Sequence, residues 1–157
     1  MVSIVPVLSW VAAVAAVAIA LARAVRPVTR SFILDRLLRY IFIFPVGLMA
    51  LWAALGHLAV PAEVAKAIGW QTSPFQFEVG FANLGIGVTG LYAAFRSFEA
   101  RLATNLVLAC FLFGAGIGHI REIAVAGNFA PGNAGPILFT DFLTPIVIFV
   151  LLWFVRR

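Results

Sequence analysis

The chain has 157 residues, of which 64% are hydrophobic and 11% are charged, and its net charge is +5 with a mean hydropathy of +1.09. Soluble domains are about 45–50% apolar and about 25% charged, so this composition excludes a soluble globular domain, a disordered chain and a nucleic-acid-binding protein. The single cysteine, Cys110, excludes a disulfide framework.

Runs of apolar residues predict an all-α membrane protein with five transmembrane helices. A span needs about 20 apolar residues to cross the bilayer, and its backbone must be hydrogen-bonded within the segment. The loops between the runs are short, so residues 1–157 form one transmembrane domain. The first run lacks the positively charged start of a signal peptide and is interpreted as a retained span. The spans cover about residues 2–22, 40–60, 75–95, 102–126 and 137–155.

The arginines predict the orientation of these spans. With five spans, nine arginines lie on one side of the membrane, and Lys66 and Arg121 lie on the other. Because basic loops stay in the cytoplasm, we expect an outside N-terminus and a cytoplasmic C-terminus. The protein is therefore predicted to be a multi-pass protein of the bacterial inner membrane.

The segments between the spans carry their own signals. Residues 26–39 are basic and partly apolar, which favours a short interfacial helix capped by Ser31, with an ordinary linker as the alternative. Its lipid face would be formed by Phe32, Ile33, Leu37 and Leu38. Residues 61–74 predict a short helix anchored at the headgroups by Trp70. Glycine and proline in residues 127–136 predict an ordered turn.

Small residues recur at helical spacing in three spans. Small side chains let membrane helices approach closely, so we interpret these positions as packing inside the bundle, with a homodimer interface through the first span as the alternative. Cys110 is predicted to be a small core residue. The positions are Ala12, Ala16 and Ala20, Gly80, Gly85, Gly87 and Gly90, and the pair Gly114 and Gly118.

Titratable residues of four spans converge on one level of the membrane. His57 and His119 each lie 17 residues beyond the start of an outward span, which is about 26 Å at 1.5 Å per residue. Glu78 and Asp141 lie close to the start of inward spans, so all four fall near the outer leaflet. Such groups are costly in a membrane and are functional candidates. We expect them to share a cavity closed by residues 127–136.

Several chemistries suit this cluster. Imidazole and carboxylate ligands would hold a transition metal through His57, Glu78, His119, Glu122 and Asp141. A proton or a small ligand such as a quinone headgroup would be bound by His57, Glu78, Asn83, His119 and Asp141. Two histidines at equal depth would also suit the axial ligation of haem. The nearby carboxylates disfavour this interpretation, because a porphyrin face prefers an apolar pocket. The remaining interpretation is a structural network that ties the helices together.

Residues 39–120 resemble the DoxX-like family of small bacterial membrane proteins. The resemblance is carried by Arg39, Gly47, the Glu78-Val-Gly stretch, the glycine-rich segment from Gly85 to Gly90, and the arginines Arg96 and Arg101. It implies a four-helix core, to which this chain adds a fifth helix, and a subunit role in quinone-linked sulfur oxidation for some members. The segments FEVGFANLGIG, GHIRE and APGNAGPILFTD also resemble an uncharacterised bacterial membrane family.

Two functions follow from these observations. The first is a binding or redox module whose outer-leaflet site takes a metal ion, a proton or a small ligand. The second is an accessory subunit of a larger membrane complex, in which the polar cluster is structural and no reaction is catalysed. A transporter ranks below both, because no inverted repeat is present and the inner half of the predicted bundle lacks polar groups for a path.

Overall fold

The computed structural model describes residues 4–157, and every regular element in that range is helical. The chain forms seven α helices and one π-helical segment, which joins α2 to α3. The helices are α1 (Val5–Ala22), α2 (Arg30–Ile41), α3 (Met49–Ala59), α4 (Pro61–Ile68), α5 (Phe75–Ala93), α6 (Phe98–Ala126) and α7 (Pro136–Arg156), and the π segment is Phe42–Leu48.

Four stretches of helix are long and apolar enough to cross a membrane. They are α1, the continuous helix Arg30–Ala59, α6 and α7. The predicted span at residues 75–95 is a helix of 19 residues, but its composition does not place it with the other four. Glycine and polar residues such as Gln76 and Asn83 lower its hydropathy. The all-helical, membrane-type fold is therefore confirmed, while the fifth span stays a prediction.

The expected interfacial helix is instead the first part of the second span. Residues 30–59 form one helix, capped by Thr29, whose Oγ1 accepts a hydrogen bond from the Phe32 N–H at 3.2 Å, and not by Ser31. Leu38, predicted to face lipid, is fully buried against the other helices. The basic residues obscured this continuity, because in the folded chain Arg39 is neutralised by Asp35 at 3.1 Å.

The second span changes its winding near its middle. Pro45 lies inside the π segment and has no N–H to donate to the preceding turn. A π segment inserts extra backbone into a turn, and single-turn π segments recur at functional sites. Phe42 and Val46 of this segment are fully buried, so the irregular backbone is held by packing.

The glycines of α5 allow close contact with the second span. A Cβ at Gly80 would lie 2.7 Å from the Leu58 side chain, and one at Gly90 would lie 2.8 Å from Val46 Cγ1. Gly87 meets Leu51 in the same way. The predicted bundle packing is confirmed at these three positions.

Other small residues do not pack inside the bundle. A Cβ at Gly85, Gly114 or Gly118 would find no atom within 4 Å in the described part of the chain. Cys110 is exposed as well, so its assignment to the core was wrong. It shares the outward face of α6 with Gly114, because residues four apart lie on one face of a helix.

The close-packed core lies towards one end of the bundle. It is built mainly from Leu38, Phe42, Val46, Ile148 and Leu152, which come from α2, the π segment and α7. This end also receives the C-terminal end of α1 and the turn between α5 and α6. We call it the basic end, because it carries the nine arginines Arg23, Arg26, Arg30, Arg36, Arg39, Arg96, Arg101, Arg156 and Arg157.

The opposite end of the bundle is covered by α4 and by residues 127–136. The short helix predicted within residues 61–74 is confirmed as α4. The Gly132 N–H donates to the Ala67 carbonyl at 3.0 Å, and the Asn128 side chain donates to the Ile68 carbonyl at 3.0 Å. These bonds hold the 127–136 loop against α4, as an ordered turn.

Candidate functional site

A cavity of about 750 Å³ occupies the bundle between the basic end and the covering loop. Six helices, the π segment and the 127–136 loop contribute to its walls, which are mostly apolar. Pockets for small organic ligands have this character, a concave apolar space with a few placed polar groups. The polar groups in the wall include Trp10, His57, Asn83, His119, Asp141 and Thr144.

His119 is held in one orientation by Asn133. The Asn133 amide N–H groups donate to the carbonyls of Asn128 at 2.9 Å and His119 at 3.3 Å. These two acceptors fix the amide, so its Oδ1 faces the ring and accepts a hydrogen bond from His119 Nδ1 at 2.7 Å. The hydrogen of the neutral ring therefore lies on Nδ1. Nε2 is the nitrogen that can accept a hydrogen bond or a proton.

That second ring nitrogen faces a buried carboxylate. His119 Nε2 lies 3.7 Å from Asp141 Oδ2, and the two residues are 7% and 2% exposed. This separation is longer than a hydrogen bond, which joins heavy atoms at about 2.7–3.2 Å. A small movement of either side chain would let the pair share one proton.

Two buried polar atoms in the cavity wall lack hydrogen bonds. Asp141 Oδ2 and the indole Nε1 of Trp10 have no partner among the residues that the structure describes. Each such group costs about 1–3 kcal/mol when it is buried without a partner, and a charged one costs more. The wall therefore holds an acceptor and a donor whose bonding capacity is unused.

His57 occupies the other side of the same cavity. Its Nδ1 lies 2.5 Å from Oε1 of the buried Gln76, which joins α3 to α5. The Gln76 oxygen accepts this hydrogen bond from Nδ1, so Nε2 of His57 takes no part in the contact with Gln76. Each histidine is thus oriented by a side-chain amide oxygen and not by a carboxylate.

The structure brings together four of the predicted ligand-binding residues. His57, Asn83, His119 and Asp141 all line the cavity, whereas Glu78 is exposed and lies outside its wall. Glu122 is also outside and lies 4.0 Å from Arg121. Of the four residues predicted to lie at one level, His57, His119 and Asp141 therefore share a cavity, together with Asn83, but Glu78 is not part of it.

The five residues proposed for a metal do not assemble. Within residues 4–157, no three histidine, cysteine or acidic side chains come close enough to hold an ion. His119 and Asp141 do meet, but Glu78 and Glu122 lie outside the wall of the cavity that these two residues line. A mostly apolar wall also offers few hard ligands.

The cover of the cavity contributes aromatic surface and backbone. The Trp70 ring stacks on His119 with centroids 6.2 Å apart, and Pro131 and Gly132 of the covering loop line the cavity. Trp70 was predicted as an anchor at the headgroups. It is half exposed, so one face of the indole remains outside while the other meets the histidine.

Sequence reasoning missed three functional residues, namely Trp10, Gln76 and Asn133. Trp10 is the only tryptophan in α1, and an aromatic N–H within an alanine-rich span was an available signal. Asn133 follows Pro131 and Gly132 in a turn, where an asparagine suggests only local hydrogen bonding. Its contact with His119 could not be read from chain order.

The comparisons with known proteins returned one family. Its model, described as a family of unknown function (DUF6790), matches residues 3–157. Neither the curated proteins nor the solved structures gave a match. The resemblance to the DoxX-like family is not tested by these findings and stays a prediction.

Proposed function

The chain belongs to DUF6790, a family of unknown function, and we propose from its cavity that it is a multi-pass membrane protein that binds a small amphipathic molecule with a carbonyl- or hydroxyl-bearing ring, such as a quinone headgroup. The observation that carries the proposal is the buried His119–Asp141 pair in the wall of a cavity of about 750 Å³. Apolar walls suit a ring and its hydrocarbon tail, and the polar pair suits the oxygen atoms.

The pair can serve both redox forms of such a ligand. A quinone carbonyl needs a hydrogen-bond donor, and a quinol hydroxyl needs an acceptor. A protonated His119 Nε2 or a protonated Asp141 donates, and the deprotonated forms accept. Trp10 supplies a fixed indole donor from α1. The same pair can hold the proton that such a molecule gains or loses, so the proposed proton site and the ligand site are one.

The alternatives for a cofactor are weaker on this geometry. The metal set is not assembled, as described above, and that favours an organic ligand. Haem would require the free Nε2 of His119 as an axial ligand, yet Asp141 Oδ2 already stands 3.7 Å from this nitrogen. A carboxylate at that position opposes the apolar face of a porphyrin. The site supports ligand binding and assigns no reaction to the protein.

The membrane topology is also part of the proposal. Helix α5 has 19 residues, about 28 Å at 1.5 Å per residue, and it lies against the second span from Leu58 to Val46. A helix of that length beside a span supports a fifth crossing. With five crossings of a bacterial inner membrane, the basic end lies on the cytoplasmic side and the N-terminus lies on the outer side. The cavity then lies towards the outer leaflet.

Ligand binding can be measured directly with decylubiquinone on the purified full chain in detergent, by isothermal titration calorimetry. Replacing Asp141 with asparagine removes the charge and one acceptor but keeps the volume. We expect the affinity to fall about 10- to 100-fold, since a hydrogen bond to a charged group contributes about 1.5–3 kcal/mol. Trp10→Phe, which removes the indole N–H donor together with one of the two fused rings, should weaken binding by a smaller factor.

The matched control is Glu78→Gln, an acidic residue of a neighbouring helix that lies outside the cavity. It should bind decylubiquinone as the wild type does. If the wild type binds no quinone up to about 100 µM, or if Asp141→Asn and Glu78→Gln behave alike, the proposed function is wrong.

A second candidate function is an accessory subunit of a membrane complex. The observation in its favour is the outward face of α6, where Gly114 and Gly118 leave room for close approach of another helix within the described range. In that case His119→Ala lowers thermal stability without any binding defect, and Gly114→Leu, which changes no contact within the chain, releases the protein from its partners during purification.

A further inference from the structure

The basic end contains a second cavity, separate from the ligand site. It has a volume of about 380 Å³ and lies where α2 begins and α7 ends. Its wall includes three arginines, Arg30, Arg101 and Arg157, and a single acidic residue, Asp35. The other wall residues include Leu34, Phe154 and Val155, which are apolar.

Asp35 does not neutralise this cavity, because its charge is already shared. Its Oδ1 accepts a hydrogen bond from Arg101 Nη2 at 2.9 Å, and its Oδ2 lies 3.1 Å from Arg39 and 3.5 Å from Arg36. One carboxylate therefore faces three guanidinium groups. This cluster already has more positive than negative charge, and Arg30 and Arg157 add two further positive charges.

Arg101 forms a fixed floor for the cavity. Its side chain is 8% exposed, and its guanidinium also donates to the Ala93 carbonyl at 3.2 Å and the Ala94 carbonyl at 2.9 Å. Both carbonyls lie at the C-terminal end of α5, beyond the regular helical hydrogen bonds, and that of Ala93 also accepts from the Arg96 N–H at 3.1 Å. Arg101 is thus held by backbone and carboxylate and cannot turn away from the cavity.

The two remaining arginines lie at the rim and are exposed. The Arg30 guanidinium lies 5.4 Å from the centre of the Phe154 ring, and the Arg157 guanidinium lies 3.8 Å from the Trp153 ring. Stacking on the aromatic rings of α7 positions both groups while leaving their N–H donors free to bind. Planar guanidinium groups bind phosphate oxygens in pairs of hydrogen bonds.

From this arrangement we propose that the cavity binds a phosphate-bearing anion, with Arg30 and Arg157 as ligands to the phosphate oxygens above the floor of Arg101. The apolar wall of Leu34, Phe154 and Val155 fits the glycerol and first methylenes of an anionic phospholipid. A soluble phosphate ester shares the same phosphate chemistry. Two sources of ligand are therefore distinguished in the experiment.

The test uses the full chain in phosphatidylcholine nanodiscs that contain phosphatidylglycerol, with bound lipid counted by native mass spectrometry. The site variant is Arg30→Gln with Arg157→Gln. The control variant is Arg23→Gln with Arg96→Gln, which removes the same charge from exposed positions of the same end, outside the cavity wall. Both keep Arg101, so the contacts that hold the fold remain.

We expect the wild type to retain phosphatidylglycerol in preference to phosphatidylcholine. The site variant should lose about tenfold more of this preference than the control variant, because only the site variant loses charge-assisted hydrogen bonds to the phosphate oxygens. General attraction of arginines to an anionic surface falls equally in both variants and cancels. An equal loss in the two variants would overturn the proposal.

Inorganic phosphate distinguishes the two sources. If millimolar phosphate displaces phosphatidylglycerol from the wild type but changes nothing in the site variant, the cavity recognises the phosphate group itself. If phosphate displaces no lipid although the variants differ as expected, the glycerol and acyl region is part of the recognised group. Melting curves of both variants should match the wild type within a few degrees, so a difference in lipid retention reports the site.

Discussion

The sharpest test of the site architecture is the replacement of Asn133 by leucine. Asn133 is fully buried, and its side chain takes part in three hydrogen bonds, two to backbone carbonyls and one with His119 Nδ1. Leucine has the same branched arrangement of heavy atoms, with two larger methyl groups in place of the amide oxygen and nitrogen, and it neither donates nor accepts. The change therefore removes the bonds without opening a large cavity.

The expected loss follows from these contacts. Three hydrogen bonds contribute about 1 kcal/mol each, and the buried N–H of His119 is then left without a partner, which adds about 1–3 kcal/mol. Burial of the leucine side chain returns part of this, so we expect a net destabilisation of about 3–5 kcal/mol. For a chain of this size, 1 kcal/mol corresponds to about 2–4 °C in Tm, and the melting temperature should fall by about 10 °C.

The control is Asn105→Leu, which replaces another fully buried asparagine. Asn105 donates one hydrogen bond, to the Pro145 carbonyl at 3.2 Å, and its Oδ1 has no partner in residues 4–157. Leucine removes one bond and one uncompensated acceptor, so the two effects nearly cancel. Thermal unfolding in detergent, followed by circular dichroism at 222 nm, compares the variants. Equal melting temperatures for the two would refute the assignment of Asn133 as the clamp of His119.

Further predictions concern packing and the basic end. Gly90→Ala places a methyl group against the stiff Val46 side chain. It should destabilise the protein by a net of about 1–2 kcal/mol, although alanine gains about 1 kcal/mol in helix propensity over glycine. Gly85→Ala has open space beside it and should melt at or above the wild-type temperature. Arg101→Met removes the guanidinium donor from the Ala93 and Ala94 carbonyls and one of the three arginine partners of Asp35, and it should cost about 2–3 kcal/mol, measured by the same melting experiment. Arg96→Met, at an exposed position, should cost less than about 1 kcal/mol. A Gly85→Ala protein that melts as low as Gly90→Ala, or an Arg101→Met protein as stable as Arg96→Met, would contradict these contacts.

The helical fold was predictable because the bilayer imposes a length and an apolar composition on each span. Residues 2–22, 102–126 and 137–155 were recognised on that ground, and the structure has α1, α6 and α7 there, with residues 2 and 3 outside the described range. The start of the second span was not recognised, because Arg36 and Arg39 were assigned to the membrane surface. Their charges are instead paired with Asp35 on the same helix, at 3.5 and 3.1 Å. Sequence spacing shows such pairs, but it does not show that Arg101 joins them from another helix.

The site was predictable in depth and not in direction. Counting residues along each span placed His57, His119 and Asp141 at one level, and all three line the cavity. The same count included Glu78, which is exposed. Gln76 lies two residues earlier, about 200° away around α5 at 100° per residue, and it is the one that meets His57. The depth of a side chain along a helix follows from its residue number, but the direction in which it points depends on which face of α5 packs against the second span. The glycines of α5 determine that face.

The cavity lies where regular helix is interrupted. Pro45 of the π segment lines it, and Pro145 follows Asp141 by one turn. A proline has no N–H, so the carbonyl four residues before it, which is that of Asp141 itself, loses its helical hydrogen bond. In a membrane, irregular backbone is tolerated where it is buried in protein or lines a cavity. The break at Pro145 therefore favours the proposed site, because the free Asp141 carbonyl and the His119–Asp141 pair can be satisfied together by one bound polar headgroup.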